Sequence, residues 1–318
     1  MRTMIDVDSL TRLYGNIAAV RDVSFAIDEG QIVGLLGHNG AGKTTVMKML
    51  SGYLEPSAGS VRIAGHDLAT QARQIQQTLG YLPENLPVYP EMSIGDYLDY
   101  AARLKGLRGE ALHRSVRHAV EATELGARFL DPIAELSRGF RQRVGVAQAI
   151  LGDPQVLILD EPGNGLDPQQ NEHMRQLIRE LASSATVILS THIMQEVEAL
   201  CDRVLVLSGG QLVLDSPLAQ LRESRHLLLT CSADTGGTQA LVARLPQIVS
   251  CDALPSPEGQ ICLRLGLHPG TAMDTAAGNI SRAIIDSGAR LYELRPEQRN
   301  LEAIFREAVQ SAGGDHAA

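Results

Sequence analysis

The sequence contains few aromatic residues, few lysines and few cysteines, and it has no long apolar run. Aromatic residues make up 3% of the 318 residues, and lysine occurs only at positions 43, 48 and 105. No segment approaches the ~18 apolar residues that a membrane-spanning helix needs, so we expect no membrane span. The four cysteines (201, 231, 251 and 262) form no C-x-x-C pair. Their scatter favours reduced thiols over a disulfide framework or a zinc site.

The N-terminus and the net charge bear on secretion and on nucleic-acid binding. Residues 1–8 include two acidic residues and no apolar core, so no signal peptide is predicted. The net charge of −9 argues against nucleic acid as the main partner. With 44% hydrophobic and 20% charged residues the composition is that of an ordinary globular protein, and the length favours two domains.

A glycine-rich segment at residues 37–45 fits the phosphate-loop pattern G-x-x-x-x-G-K-[ST]. Residues 31–36 before it predict a buried strand, and residues 45–50 after it predict a helix. The free N–H groups at the start of a helix, together with those of a glycine-rich loop, bind phosphate. The predicted nucleotide-binding residues are Gly37, His38, Asn39, Gly40, Ala41, Gly42, Lys43, Thr44 and Thr45. We expect Lys43 to reach the terminal phosphates and Thr44 to ligate Mg²⁺.

Short apolar segments alternate with amphipathic helices as far as residue 222, which predicts an α/β domain with a mainly parallel sheet. Alternating residues at 4–8 and 23–27 predict further strands, which would form an antiparallel subdomain. Helical patterns follow the prolines at 83, 87 and 90, and they predict a helical subdomain over about 85–150. Ser93 is the predicted N-cap of its first helix, and its last helix is predicted to begin at Arg141. We therefore predict a nucleotide-binding domain over residues 1–222.

The composition changes near residue 223, and a second domain is predicted over residues 223–310. The strand and helix patterns there follow the order β-α-β-β-α-β with a final helix, which predicts a small α+β accessory domain. Residues 311–318 are expected to be a frayed tail. Predicted strands lie at 227–230, 248–249, 261–265 and 291–294, and predicted helices at 238–245, 275–287 and 299–310.

Acidic residues and a histidine end two of the predicted buried strands. Asp160 and Glu161 follow the apolar segment 156–159, and His192 follows 186–189. Ligands of α/β proteins bind at the carboxyl ends of parallel strands. Asp160 can hold Mg²⁺, and Glu161 can orient and deprotonate an attacking water. His192 could donate to the γ-phosphate or position the water.

These motifs, in this order, resemble the ATP-binding subunit of an ABC transporter over residues 1–222. The resemblance implies that Tyr14 stacks on adenine and that the segment from Leu136 to Phe140 is the signature motif. It also implies that Asp160 and Glu161 are the metal and base acids. Asp167 would lie in the loop that crosses the dimer, and His192 would be the switch histidine.

The chain departs from the family pattern at two places. The signature is usually LSGGQ, whereas this chain has Arg138 and Phe140 at its third and fifth positions; Ser137 and Gly139 are kept. Glu84 stands where the family has a glutamine that ligates Mg²⁺, and a carboxylate oxygen can keep that function.

These departures, the proline-rich loop and the segment 301–305 resemble the ABC-2 exporter branch, which includes subunits named for gliding motility. The resemblance implies a homodimer that sandwiches two ATP molecules with Mg²⁺ and drives a separate ABC-2 permease from the cytoplasmic face of the membrane. One alternative is a soluble ABC-type ATPase that acts on ribosomes or nucleic acid. Another is an ATP sensor without turnover, against which the predicted base Glu161 argues.

Overall fold

The computed structural model describes residues 2–222, 226–232, 237–297 and 300–314. The chain divides into two compact units. One runs from the N-terminus to Leu218 and resumes at Phe305, and the other is Ala219–Ile304. The predicted domain limits near residues 222 and 310 stay a prediction. Within the described ranges, no helix combines the length and the apolar character needed to cross a membrane.

The strands of the first unit build two sheets. In chain order they are β1 (Thr3–Tyr14), β2 (Ile17–Asp28), β3 (Ile32–Leu36), β4 (Ala58–Ile63), β5 (His66–Asp67), β6 (Leu79–Leu82), β7 (Val156–Asp160), β8 (Thr186–Thr191), β9 (Arg203–Ser208) and β10 (Gln211–Pro217). The six-stranded sheet has the order β10-β9-β3-β8-β7-β6, and only its β10–β9 pair is antiparallel. The predicted mainly parallel sheet is therefore confirmed.

The central strands β3, β7 and β8 are buried along their whole length. A parallel sheet is covered on both faces, which explains why these strands are continuous apolar runs rather than alternating ones. Their carboxyl ends meet at one edge of the sheet, where β7 ends in Asp160 and β8 ends in Thr191. This edge carries the acidic residues that the sequence singles out.

The second sheet of this unit has the order β2-β1-β4-β5 and is antiparallel. Its first two strands are longer than the predicted segments 4–8 and 23–27. The register shifts between Val7 and Leu10, and Ser9 and Asp22 have positive φ angles of 51° and 49°. Bulges of this kind interrupt the alternation of apolar and polar residues, so the sequence pattern ends before the strands do.

The described residues also form helices. They are α1 (Lys43–Leu50), α2 (Leu68–Thr78), α3 (Ile94–Leu104), α4 (Gly109–Ala122), α5 (Arg138–Ile150), α6 (Pro168–Ala182), α7 (Met194–Leu200), α8 (Leu218–Arg222), α9 (Gly237–Ala243), α10 (Met273–Asp286) and α11 (Leu301–Gly314). Helix α2 was not predicted, because only Leu68 and Ile75 of its residues are buried and Gln71 interrupts its helical backbone.

Helices α3, α4 and α5 pack on one another within the range predicted for the helical subdomain. Ser93 caps α3 as predicted, since its hydroxyl accepts a hydrogen bond from the Asp96 N–H at 3.1 Å. Helix α5 begins at Arg138, three residues before the predicted start at 141. The Ser137 hydroxyl caps it by accepting from the Phe140 N–H at 3.4 Å.

The second unit contains the strands β11 (His226–Ser232), β12 (Ile248–Leu254), β13 (Gln260–Leu267) and β14 (Leu291–Pro296). They form an antiparallel sheet in the order β12-β13-β11-β14, with α9 after β11 and α10 after β13. The predicted order β-α-β-β-α-β is therefore present. Helix α11 continues to Gly314, so residues 311–314 are helical where a frayed tail was predicted. Residues 315–318 lie outside the described residues.

Candidate functional site

The predicted phosphate loop connects the end of β3 to the start of α1 and borders an open pocket. Two of its glycines have left-handed backbones, with φ of 83° at Gly40 and 105° at Gly42. A Cβ atom at Gly42 would also lie 2.7 Å from the carbonyl oxygen of Ala19. These positions therefore require glycine. The residues that line the pocket are Ala19, His38, Asn39, Gly40, Gly42, Lys43, Thr44, Thr45, Glu84 and Glu161.

Lys43 is buried, and its ammonium group lies among oxygen atoms. The Nζ atom donates to the carbonyl oxygen of Gly37 at 2.8 Å and lies 3.6 Å from Oε1 of Glu161. The carboxylate of Glu161 partly balances the charge of Lys43. The hydrogen bond to the Gly37 carbonyl fixes the position of the ammonium group. A compact cation at the floor of an anion-binding loop is suited to bind phosphate oxygens.

Asp160 lies at the end of β7 and is 0% exposed. Its Oδ1 atom accepts hydrogen bonds from the hydroxyl groups of Ser190, at 2.5 Å, and Thr44, at 3.4 Å. The pKa of Asp160 is raised above its ordinary value, mainly because the carboxyl group is buried. The two hydrogen bonds oppose this shift, and the negative charge of Glu84 adds to it. Within the described residues, Oδ2 is buried without a hydrogen-bond partner. An orphaned carboxylate oxygen beside a threonine hydroxyl fits a hard divalent cation.

Glu161 follows Asp160 and contacts His192, the residue after β8. The Oε2 atom of Glu161 lies 2.9 Å from Nδ1 of His192. The carboxylate is buried, whereas the imidazole is 51% exposed. The backbone of Glu161 has a φ of 51°, and its N–H donates to both the hydroxyl and the carbonyl oxygen of Ser190. Strained backbones of this kind occur at functional sites, and here the hydrogen bonds to Ser190 hold it.

The signature segment lies against a different loop. A Cβ at Gly139 would meet the side chain of Gln170 at 2.6 Å, and the guanidinium of Arg138 lies against Gly165. Asp167 caps α6 by accepting from the Gln170 N–H at 2.8 Å. The structure therefore brings Ser137, Gly139 and Asp167 into one region. In the described part of the chain, none of these three lines the phosphate-loop pocket.

Comparison with known proteins decides the family. The family model described as ABC transporter matches residues 20–164. The ABC transporter ATP-binding protein YxlF of Bacillus subtilis is 34% identical over 223 residues, which are 70% of this chain and 74% of that protein. The chain belongs to the ABC transporter ATP-binding proteins.

Other members of the family are similar to the same extent. The Nod factor export ATP-binding protein I of Burkholderia lata is 36% identical over 221 residues, covering 69% of this chain and 73% of that protein. A solved ATP-binding subunit of an ABC transporter superposes with a TM-score of 0.64 at 31% identity, covering 69% of this chain and 92% of that one. The predicted α/β fold of an ABC-type ATPase is thereby confirmed, and the chain is an ATPase of this family.

In this ABC ATPase, Tyr14 is not among the residues that line the described part of the phosphate-loop pocket. It ends β1, is 49% exposed, and carries the guanidinium of Arg12 at 4.9 Å from its ring centre. An exposed ring is available for stacking, and its predicted contact with adenine stays a prediction.

Two polar residues of this site were not predicted from the sequence. Ser190 holds both Asp160 and the backbone of Glu161, and the buried Glu196 accepts a hydrogen bond from the Thr191 hydroxyl. Ser190 could have been found, because it is a polar residue at the end of a buried strand next to His192. Glu196 has no such signal, since its burial depends on how α7 packs.

Proposed function

We propose that this ATPase is the nucleotide-hydrolysing subunit of an ABC-2 type exporter, acting as a head-to-tail dimer on a membrane permease. Glu161 is the general base, His192 orients it, and Lys43 binds the terminal phosphates. The observation that carries the proposal is the grouping of Glu161 with Lys43 at 3.6 Å and with His192 at 2.9 Å beside the phosphate loop.

In the reaction, the backbone N–H groups of the phosphate loop bind the phosphates and Lys43 neutralises their charge. A water molecule in line with the γ-phosphate gives a proton to Glu161 as its oxygen forms a bond to the γ-phosphorus, and the bond from that phosphorus to the bridging oxygen breaks to release ADP and phosphate. His192 contacts Glu161 through Nδ1 and its side chain is 51% exposed, so in this proposal Nε2 is the atom that donates to the γ-phosphate.

Mg²⁺ would be held by Thr44, Asp160 and Glu84. The buried Oδ2 of Asp160, which has no hydrogen-bond partner among the described residues, supports this ligand set. Glu84 lines the phosphate-loop pocket and also a neighbouring pocket that includes Thr44 and Asp160. The cation would supply charge neutralisation at the β- and γ-phosphates.

The dimer is supported by the position of the signature segment. Ser137 and Gly139 do not line the described part of the phosphate-loop pocket of their own chain. Residues that act on ATP from there would have to act on the ATP of another subunit. A bacterial ABC transporter cassette of the same fold, 24% identical with a TM-score of 0.62, was solved as a dimer.

Export through a separate permease is supported by the names of relatives. Nod factor export ATP-binding proteins are 36% identical to this chain, and their names refer to export. In this proposal the permease is another chain. This arrangement would hold the ATPase at the cytoplasmic face of the membrane.

Affinity purification of the chain from detergent-solubilised membranes tests this assembly. We expect a membrane protein with several spanning helices to co-purify in comparable amount and to stimulate ATP hydrolysis. Ribosomal proteins or nucleic acid in its place would favour the alternative of a soluble ABC-type ATPase. A chain that binds ATP without turnover would favour the sensor.

Replacing Glu84 with Gln is expected to make ATP binding less dependent on Mg²⁺. Glu84 adds a negative charge near Asp160, and without a cation that charge repels the phosphates. With Mg²⁺ present, attraction to the metal offsets the repulsion. The measurement is the Kd for ATP with Mg²⁺ and with EDTA. The Kd in EDTA divided by the Kd in Mg²⁺ should be several-fold smaller in the variant than in the parent.

The matched control for this experiment is Glu110→Gln, which removes an exposed carboxylate from the first turn of α4. It should leave the ratio of the two Kd values unchanged. If Glu84→Gln and the parent show the same ratio, Glu84 is not a metal ligand and would instead belong to the surface that contacts the permease.

A further inference from the structure

A second buried carboxylate lies behind the pair of Glu161 and His192. Glu196 of α7 is 6% exposed, and its Oε2 accepts a hydrogen bond from the Thr191 hydroxyl at 2.7 Å. The Thr191 hydroxyl in turn accepts from the Ile193 N–H at 3.1 Å. These two hydrogen bonds involve Thr191 and Ile193, the residues before and after His192. The turn that carries the imidazole is therefore bound to the Glu196 carboxylate.

The other oxygen of Glu196 lies against the segment that follows the general base. A Cβ atom at Gly163 would overlap Oε1 of Glu196 and would lie 2.7 Å from Oδ1 of Asn171. Gly163 is not among the glycines with a positive φ, so its backbone does not require glycine. The missing side chain instead provides the space that the carboxylate occupies. One side chain therefore contacts both the turn of His192 and the segment two residues after Glu161.

We propose that Glu196 is a positioning residue for ATP hydrolysis, which holds the turn around His192 and the segment after Glu161 at a fixed separation. The contact of 2.9 Å between Glu161 and His192 depends on that separation. The inference rests on the proposed functions of Glu161 and His192. Glu196 contacts the turn and the loop rather than the reacting atoms, so it acts through the other two residues.

The surroundings of Glu196 also suit an uncharged side chain. The pKa of Glu196 is raised above its ordinary value, mainly because the carboxyl group is buried. The hydrogen bond from Thr191 opposes this shift, the charge of Glu161 adds to it, and Arg175 and His192 oppose it. The Oδ1 atom of Asn171, which borders the same space at Gly163, is a buried acceptor without a hydrogen-bond partner in the described chain. A glutamine amide could accept from Thr191 and present its N–H groups to this acceptor.

The test compares Glu196→Ala with Glu196→Gln in steady-state ATP hydrolysis by the full chain. Misplacement of catalytic groups by small distances lowers turnover strongly, so we expect kcat of the alanine variant to fall by about tenfold or more with KM little changed. The glutamine variant should keep most of the parent kcat. Glu198→Ala, at an exposed position of the same helix, is the matched control and should hydrolyse ATP as the parent does.

A second pair of variants guards against a folding defect, because truncating a buried side chain also destabilises a protein. Thr191→Val keeps the volume but removes the hydroxyl that joins Glu196 to the turn, and we expect it to lower kcat as well. In a His192→Ala background, Glu196→Ala should cost much less than it does alone, because both changes disturb one unit.

The positioning function is overturned if Glu196→Ala keeps the parent kcat, if the glutamine variant is as impaired as the alanine variant, or if the loss is the same with and without His192. Each of these outcomes can be distinguished from a failure of the proposed function. If Glu161→Gln hydrolyses ATP normally, the base assignment fails, whereas an inactive Glu161→Gln beside a fully active Glu196→Ala rejects the positioning function alone.

Discussion

Replacing Glu161 with Gln is expected to lower kcat for ATP hydrolysis by ~10²-fold or more, the size of effect typical of losing a general base. The amide keeps the shape of the side chain, and its oxygen can still face Lys43, which lies 3.6 Å from the carboxylate in the parent. The glutamine amide cannot take a proton from water. Binding of ATP should therefore change little, so the loss should appear in kcat rather than in KM.

The same variant should accumulate as an ATP-bound dimer, because hydrolysis is the step that would separate the subunits. Size-exclusion chromatography with ATP and Mg²⁺ measures this, with Glu110→Gln as a control that should hydrolyse ATP and elute as the parent does. Turnover of the Glu161→Gln variant at the parent rate would exclude Glu161 as the base. Loss of ATP binding would instead assign it a structural function.

The sequence predicted this part of the molecule well, for a physical reason. The phosphate loop, the strand before it and the acids at the end of β7 are each determined by neighbours in the chain: glycine conformation, apolar runs and the polar residues that end them. The parallel sheet then brings separate strand ends to one edge, so the sequence alone predicts that Asp160, Glu161 and His192 lie together.

What escaped prediction depends on packing between distant segments. The burial of Glu196 requires α7 to lie beside the loop at Gly163, and no local pattern encodes that contact. Helix α2 buries only Leu68 and Ile75, which is too weak a periodicity to detect. The early start of α5 results from a single cap by Ser137, whereas the pattern of apolar residues begins further on. Periodicity thus located the large apolar elements, and single polar contacts set the rest.

Replacing Ser137 with Glu is expected to abolish the ATP-dependent dimer and to leave ATP binding by the monomer intact. Gly139 lies against Gln170 in the first turn of α6, and neither it nor Ser137 lines the described phosphate-loop pocket of its own chain. In the proposed dimer the added carboxylate would face the γ-phosphate of the partner's ATP, where two negative charges repel each other. Hydrolysis should fall with dimerisation, since the second half of each ATP site would be missing.

The experiment is sharpest in the Glu161→Gln background, where the parent dimer persists long enough to be measured. Ser137 also caps α5, so Ser137→Asp is the companion variant: aspartate caps a helix as well as serine does, and its charge suits a helix N-terminus. Both acidic variants should stay monomeric with ATP, with an apparent dimerisation constant weakened at least ~10-fold, or ~1.4 kcal/mol. Ser184→Glu, an exposed serine after α6, should still dimerise.

The Kd for ATP of the monomers then decides between the two possible positions of Ser137. If it acts across the dimer, the Kd of Ser137→Asp and of Ser137→Glu equals that of the parent monomer. If either variant binds ATP more weakly as a monomer while its thermal stability is unchanged, Ser137 contacts the ATP of its own chain and the head-to-tail arrangement is wrong. Parent-like dimerisation by both acidic variants would likewise remove the signature segment from the ATP interface.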